Sequence, residues 1–245
     1  LKRYFIELSY NGKKFFGWQR QPRQISVQEE IETAITKLYS NKEISLVGCG
    51  RTDTGVHAKS YFLHVELPHH DVLKDLNQFI IKLNKMLPAS IVLHEIFESE
   101  KHARFDAKTR TYRYFIHFKK DPFINEQSWY FPQKLDIEKM NEAAKLLIGS
   151  KDFTSLSKLH TNVKTNICIV SNAEWKKESE NEWYFEISAD RFLRNMVRAT
   201  VGTLIDVGLG KTKPTDLISI LDAKDRGAAS SSVPAHGLFL WKIEY

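Results

Sequence analysis

The chain has 245 residues, 42% hydrophobic and 12% aromatic, enough for one large domain or two modest ones that fold without staples. Lys and Arg outnumber Asp and Glu by 36 to 30, a net charge of +6 that favours a polyanionic partner. There is no apolar run near the roughly 18 residues of a membrane span, no signal-peptide core after Leu1-Lys2-Arg3-Tyr4, and no CxxC pair around Cys49 or Cys168, so we expect a cytoplasmic protein with reduced thiols and neither a zinc knuckle nor a disulfide framework.

Residues 3 to 10 alternate Tyr4, Ile6, Leu8 and Tyr10 against Arg3, Phe5, Glu7 and Ser9, the period of a strand with one buried face. A long loop, Asn11 to Ile25, follows. Ser26 with Glu29 three residues on forms a capping box, and Val27, Ile31, Ala34, Ile35 and Leu38 continue at helical spacing. A short strand at 44–48 and a second with Tyr61, Leu63, Val65 and Leu67 on one face flank a glycine-rich loop. Leu73, Leu76, Ile80, Leu83 and Leu87 mark a second helix before Pro88, and strands are predicted at about 91–98 and 110–118. The order to this point is βαββαββ.

In the second half Ile137, Met140, Ala144 and Leu147 define a helix ended by Gly149, and strands follow near 165–175 and 183–189. The next helix is predicted from about Phe192 to Val207, with Phe192, Met196, Thr200 and Leu204 inward and Gly208 and Gly210 beyond its end. Pro214 opens another short helix, and residues 238–245 finish as a strand. This mixed order predicts an α+β fold rather than a doubly wound parallel sheet. We expect two similar mixed α/β halves, 1–100 and 101–245, with antiparallel sheets packed around a central cleft. No internal repeat proves the duplication, and no Gly/Ser/Pro-rich linker marks the seam.

The loop Gly48-Cys49-Gly50-Arg51-Thr52-Asp53-Thr54-Gly55-Val56-His57-Ala58 sets one carboxylate beside one guanidinium. Its glycines permit positive φ and close backbone approach, so that Arg51 and Asp53 can project toward a ligand. Composition alone would equally let Asp53 cap its own turn. Asp53-Thr54-Gly55 also spells an aspartic protease signature, but that chemistry needs a second carboxylate to share a proton, and the chain has one such triplet. Gly208-Leu209-Gly210-Lys211-Thr212 resembles the end of a P-loop, except that the required earlier glycine is Ile205. HExxH, GxSxG and a dinucleotide fingerprint are all lacking, and the nine histidines are scattered, so no metal or cofactor site is expected.

Cations and aromatics cluster twice: Lys13, Lys14, Arg20 and Arg23 around Phe15, Phe16 and Trp18, and Arg104, Lys108, Arg110 and Arg113 among Phe105, Tyr112 and Tyr114. Such mixtures suit RNA with splayed nucleotides. Arg191, Arg194 and Arg198 recur at helical spacing, forming a basic stripe that taken alone would be a solvated helix face.

Five ordered blocks carry a resemblance that runs essentially end to end. Residues 48–58 match GxGRTDxGVHA, 192–202 match FxxxMVRxxVG, 102–114 match HARFxAxxRxYRY, 234–238 match PAxGL, and 10–22 resemble YDGxxFxGWQxQP, with Val27-Gln28 continuing it. The chain thus resembles the tRNA pseudouridine synthase A family. The resemblance implies that Asp53 is the nucleophile, that Arg198 pairs with it and keeps it ionised, that Tyr112 stacks on the target base and that Leu238 supplies an apolar floor. Arg51 and His57, from the same block as Asp53, are assigned to substrate binding, Arg51 positioning the loop or a phosphate.

Departures are mild: Cys49 and Thr54 stand where alanine is usual, Lys59-Ser60-Tyr61 replaces the usual glycine and glutamine, and Asp152-Phe153-Thr154-Ser155-Leu156 lacks a second Phe. The family likeness implies a cofactor-free, metal-free isomerase that converts uridine to pseudouridine in the anticodon stem-loop of tRNA, about nucleotides 38 to 40, after flipping the base. It also implies a homodimer with one tRNA spanning both subunits, and no membrane partner. The alternatives are a catalytically inactive RNA-binding module and a synthase of the same chemistry acting on another RNA.

Overall fold

The computed structural model describes residues 1–38, 44–68, 73–158 and 163–245. In chain order the elements are β1 (Lys2–Tyr10), α1 (Val27–Leu38), β2 (Leu46–Gly48), β3 (His57–Leu67), α2 (Leu76–Met86), β4 (Ile91–Glu98), β5 (Thr109–His117), β6 (Trp129–Tyr130), α3 (Ile137–Lys145), β7 (Gly149–Asp152), β8 (Ile167–Lys177), β9 (Glu182–Ala189), α4 (Met196–Gly208), α5 (Asp216–Asp222) and β10 (Leu238–Glu244). The chain divides into two compact units, one of residues 1–108 with 240–245 and one of 109–239. The α+β class expected from the order of elements is present, with every pairing described below antiparallel except that of the two-residue β6 with β5.

In the first unit β1 lies between β3 and β4, and β2 pairs with β3. Ser26 caps α1 as its spacing predicts, its Oγ accepting the Glu29 N–H at 3.3 Å. α1 buries Val27, Ile31 and Ile35, and packs on α2, which buries Phe79, Ile80 and Leu83 against β4. β1 departs from simple alternation. Tyr4, Ile6, Leu8 and Tyr10 are buried as expected, yet Phe5 on the other face is 1% exposed. Its cover is built from distant residues: register sets His64 and Phe97 beside it, and the Tyr245 ring meets it edge-on at 5.3 Å. A face closed by partners some 60 to 240 residues away leaves no mark on local periodicity.

His64 on that face carries a pH dependence. Burial first, then the charges of His102 and Arg3, hold its imidazole at about 4 against the pull of Glu66, and its Nδ1 accepts the buried Ala103 N–H at 3.0 Å. The folded protein therefore binds this proton less readily than the unfolded chain does. The stabilisation is complete above the ordinary histidine range near 6.5 and fades as pH falls toward 4. Urea unfolding is expected to show a loss of about 2 kcal/mol between pH 7 and pH 5 attributable to this ring. A His64→Gln variant should lack that share, and equal pH slopes for the two proteins would contradict it.

In the second unit β5 pairs with β9, β9 with β8 and β8 with β7. α4 is buried on nearly every side, and Gly208 near its end admits the Met140 side chain of α3 where a Cβ would collide with the sulfur. Thr200 and Thr203 within it satisfy their buried hydroxyls on the Met196 and Ala199 carbonyls, at 2.9 and 3.0 Å.

The predicted start of α4 near Phe192 is wrong by a turn. Asn195 takes a left-handed conformation with φ 67°, the Met196 N–H closes on Leu193 O, and the Arg194 carbonyl is committed to the Lys158 N–H. Arg191 and Arg194 are therefore not on the helix, and the expected basic stripe reduces to Arg198. Two strands were also absent from the prediction: β6 is two residues long, and β7, Gly-Ser-Lys-Asp, has no apolar alternation to reveal it.

Candidate active site

The Asp53 loop joins β2 to β3 in the first unit, and the 10–22 block is what holds it. Tyr10 Oη and Thr52 Oγ1 share a buried hydrogen bond of 2.7 Å, the Trp18 N–H donates to Thr52 O at 3.2 Å, and the Gly55 N–H donates to Phe15 O at 3.4 Å. The Asp53 carbonyl accepts the Val56 N–H at 3.1 Å, closing a turn in which Gly55 has φ +79°. That conformation at the third residue of a turn selects glycine. Gly48 serves differently: a Cβ there would overlap the Tyr61 hydroxyl and the Trp18 indole, whose rings stack at 4.0 Å. Gly50 has ordinary φ and open space around it, so the general glycine argument applies to two of the three positions.

Asp53 is half-buried at the tip of this frame and Arg51 is exposed beside it. His57 is 1% exposed, and its Nδ1 accepts the Gly12 N–H at 3.0 Å, which sets its proton on Nε2. It thus fixes the loop's exit to the 10–22 block. The aromatic cluster around Lys13 and Lys14 is mostly core: Phe15 and Trp18 are 4% and 3% exposed, leaving Phe16 at the surface.

Tyr112, Arg198 and Leu238 belong to the second unit. Tyr112 sits on β5 opposite Ile187 of β9, half-buried, with the Phe192 ring edge-on at 4.9 Å. Its strand neighbours Tyr114 and Ile116 are core. The Tyr114 hydroxyl donates to Pro234 O at 2.8 Å; burial pushes its pKa far above the ordinary phenol value, opposed by the Arg198 charge, so it stays a neutral donor.

Arg198, in the first turn of α4, donates from Nε to Val233 O at 2.7 Å, and the Val233 N–H returns to the Arg198 carbonyl at 3.2 Å. Asn195 Nδ2 adds a bond to Ser232 Oγ at 2.7 Å, and Gly202 lets the Ser231 carbonyl lie directly against the helix. These ties leave the two terminal nitrogens of the half-buried guanidinium for another partner, and no carboxylate among the described residues of this unit pairs with it. The same segment continues through Pro234 into the turn Ala235–Gly237 and delivers Leu238, which is 6% exposed. A hollow of about 410 Å³ lies behind this segment, lined by Trp129, Phe131, Asp206 and Lys211 among others, and includes none of Tyr112, Arg198 and Leu238.

Of the cations expected to face RNA, Arg113 is already engaged. Its Nε pairs with Glu186 at 2.7 Å and its guanidinium lies over the Tyr184 ring at 4.5 Å. Burial acts to raise the Glu186 pKa, but hydrogen bonds from Lys176 and Arg113 bring it below the usual carboxylate value. Sequence reasoning missed the positioning set Tyr10, Gly12, Thr52, Ser232 and Val233. The first three lie in blocks whose pattern is visible, while the tie from Arg198 to Val233 spans 35 residues and has no local signal.

The family profile described as tRNA pseudouridine synthase matches residues 143–245. The tRNA pseudouridine synthase A of Parabacteroides distasonis is 48% identical over all of this chain and 96% of its own length, and that of Porphyromonas gingivalis 47% over all of this chain and 98% of its own. The tRNA pseudouridine synthase A of Bacillus subtilis is 39% identical over 97% of each chain. Full-length identity at this level defines the chain as an isomerase of the pseudouridine synthase class. It belongs to the tRNA pseudouridine synthase A family.

No described helix is long and apolar enough to cross a membrane, and among the described residues no group of three or more His, Cys, Asp or Glu could hold a metal ion.

Proposed function

We propose that the chain isomerises uridine to pseudouridine in the anticodon stem-loop of tRNA, at about nucleotides 38 to 40, with Asp53 as the nucleophile. The observation that supports this most directly is the Asp53 loop, where an aspartate is displayed by a turn anchored through Thr52, Gly55 and His57. The target base leaves the stack, and Tyr112 and Leu238 hold it. Asp53 attacks the nucleoside and the glycosidic bond to N1 breaks. The uracil then turns and bonds to the ribose through C5, the bond from Asp53 to the nucleoside breaks to return the free carboxylate, and loss of the C5 proton, with N1 taking up a proton, restores the ring. Arg198 keeps the carboxylate ionised, since a guanidinium favours the charged form of a neighbouring acid. Arg51 contacts a phosphate or steadies the loop. A homodimer acting on tRNA in the cytoplasm completes the reading.

Mapping pseudouridine in tRNA by carbodiimide adduct and primer extension tests the position. Stops confined to nucleotides 38 to 40 are expected, and stops elsewhere, or only in another class of RNA, would overturn the assignment of substrate. Arg198→Lys is expected to lower turnover tenfold or more, because an ammonium lacks both the Nε–H that anchors the side chain to Val233 and the fork that remains. Near-parental turnover in steady-state assays would refute its role.

A further inference from the structure

The turn at residues 102–106 of the first unit is fixed with unusual thoroughness for a surface segment. The His102 N–H donates to Asp106 Oδ2 at 2.7 Å and the Asp106 N–H returns to His102 O at 3.1 Å. His102 Nδ1 accepts the N–H groups of Arg104 and Phe105, at 3.1 and 3.2 Å. Ala103 beneath is fully buried and held from two directions, its N–H on His64 Nδ1 at 3.0 Å and its carbonyl accepting the Tyr245 hydroxyl at 2.7 Å.

At the tip of this turn stands Phe105, 75% exposed. Its ring stacks on His102 at 4.3 Å and 27°, and His102 in turn meets His64 edge-on at 4.6 Å. The stack is thus rooted in the core. Arg104 lies 5.9 Å from the Phe105 ring, and Lys101 sits 5.8 Å over that of Tyr245. Phe123, 91% exposed, is the contrast: it has no ring partner among the described residues and no such frame. A singly exposed ring is ordinary on a protein surface, but a ring held rigid by a buried frame and still left uncovered gains folding little from its apolar area.

We propose that Phe105 is a stacking platform for one unpaired base of the RNA substrate, with Arg104 and Lys101 serving adjacent phosphates. The inference rests on the reading that RNA is the substrate. Every base has a π-face, so a rigid ring flanked by cations binds unpaired nucleotides with little ordering cost. The neighbouring Asp106 is exposed, with one of its carboxylate oxygens accepting the His102 N–H at 2.7 Å. These features favour a polyanion with exposed aromatic faces over a protein partner.

The test uses the full chain with Phe105→Ala and Phe105→Trp, reading affinity for an unmodified tRNA transcript by fluorescence anisotropy and release of tritium from uracil C5 in parallel. Phe105→Ala is expected to weaken binding about tenfold or more with an unchanged thermal midpoint, because the ring contributes little to the core. Phe105→Trp should bind like the parent, and its indole emission should be quenched as RNA is added. Binding by the alanine variant within twofold of the parent, or an indole signal indifferent to RNA, would overturn the platform. A parent that binds tRNA without releasing tritium overturns the proposed isomerisation while the affinity ratio still decides Phe105. A parent that does not bind tRNA overturns both.

Discussion

Asp53→Asn is expected to lower pseudouridine formation by about 10⁴-fold or more, some 5 kcal/mol or more of transition-state stabilisation, while the protein stays folded and bound to tRNA. The amide matches the carboxylate in shape but is a far weaker nucleophile, so the substitution separates chemistry from architecture. Architecture should survive because the loop is anchored through its neighbours: Thr52 to Tyr10 and Trp18, Gly55 to Phe15, His57 to Gly12, and the Asp53 main-chain carbonyl to Val56. Removing a negative charge from a surface that meets a polyanion should leave affinity equal or slightly greater. Single-turnover assays with saturating enzyme, beside equilibrium binding, read the two effects separately. Turnover within tenfold of the parent would remove Asp53 from the chemistry.

Gly202→Ala is expected to destabilise the protein by about 2 kcal/mol, opposite in sign to the usual effect of this change within a helix. In an exposed helix, alanine for glycine gains about 1 kcal/mol, because it restricts the unfolded chain. Here the added methyl would overlap the main-chain oxygen of Ser231, which cannot swing aside as a flexible side chain could. Relief requires the 231–233 segment to retreat from α4. That movement strains the paired bonds between Arg198 and Val233 and the bond from Asn195 to Ser232, and it displaces the stretch leading to Leu238. Denaturant unfolding should show the loss, with a matching fall in turnover. A stabilised variant would mean that the close approach of helix and segment is not maintained in solution.

How far the molecule was legible from its residues follows the range of the interactions involved. α1, α2 and α3 were visible because each buries one stripe at helical spacing, and the Ser26 cap marks a boundary within four residues. α4 was visible but misplaced, because Phe192 and Leu193 continue its apolar spacing through a turn that only Asn195 at φ 67° reveals. β7 escaped because its pairing with β8, not its composition, makes it a strand. The site divides along the same line. The Asp53 block is local, with its glycines and the charges of Arg51 and Asp53 within eleven residues between two strands, so the loop could be read from sequence, while the nucleophile role of Asp53 was implied only by the family resemblance. What braces that block is not local, Tyr10 reaching Thr52 across 42 residues and Gly12 reaching His57 across 45, and in the second unit the tie from Arg198 to Val233 spans 35. Within the second cationic cluster the limit is similar, since a row of Arg and aromatic residues does not disclose that Arg113 is occupied by Glu186 and Tyr184.

Pseudouridylation moves the uracil bond of tRNA uridine from N1 to C5. Pseudouridine has the mass of uridine, so the direct measurement is release of tritium to water from tRNA labelled at uracil C5, compared with tRNA labelled at C6. Near-stoichiometric release from the C5 label, one or a few equivalents per tRNA, is expected, with the C6 label retained. Tight binding of tRNA with both labels retained would contradict the proposed isomerisation.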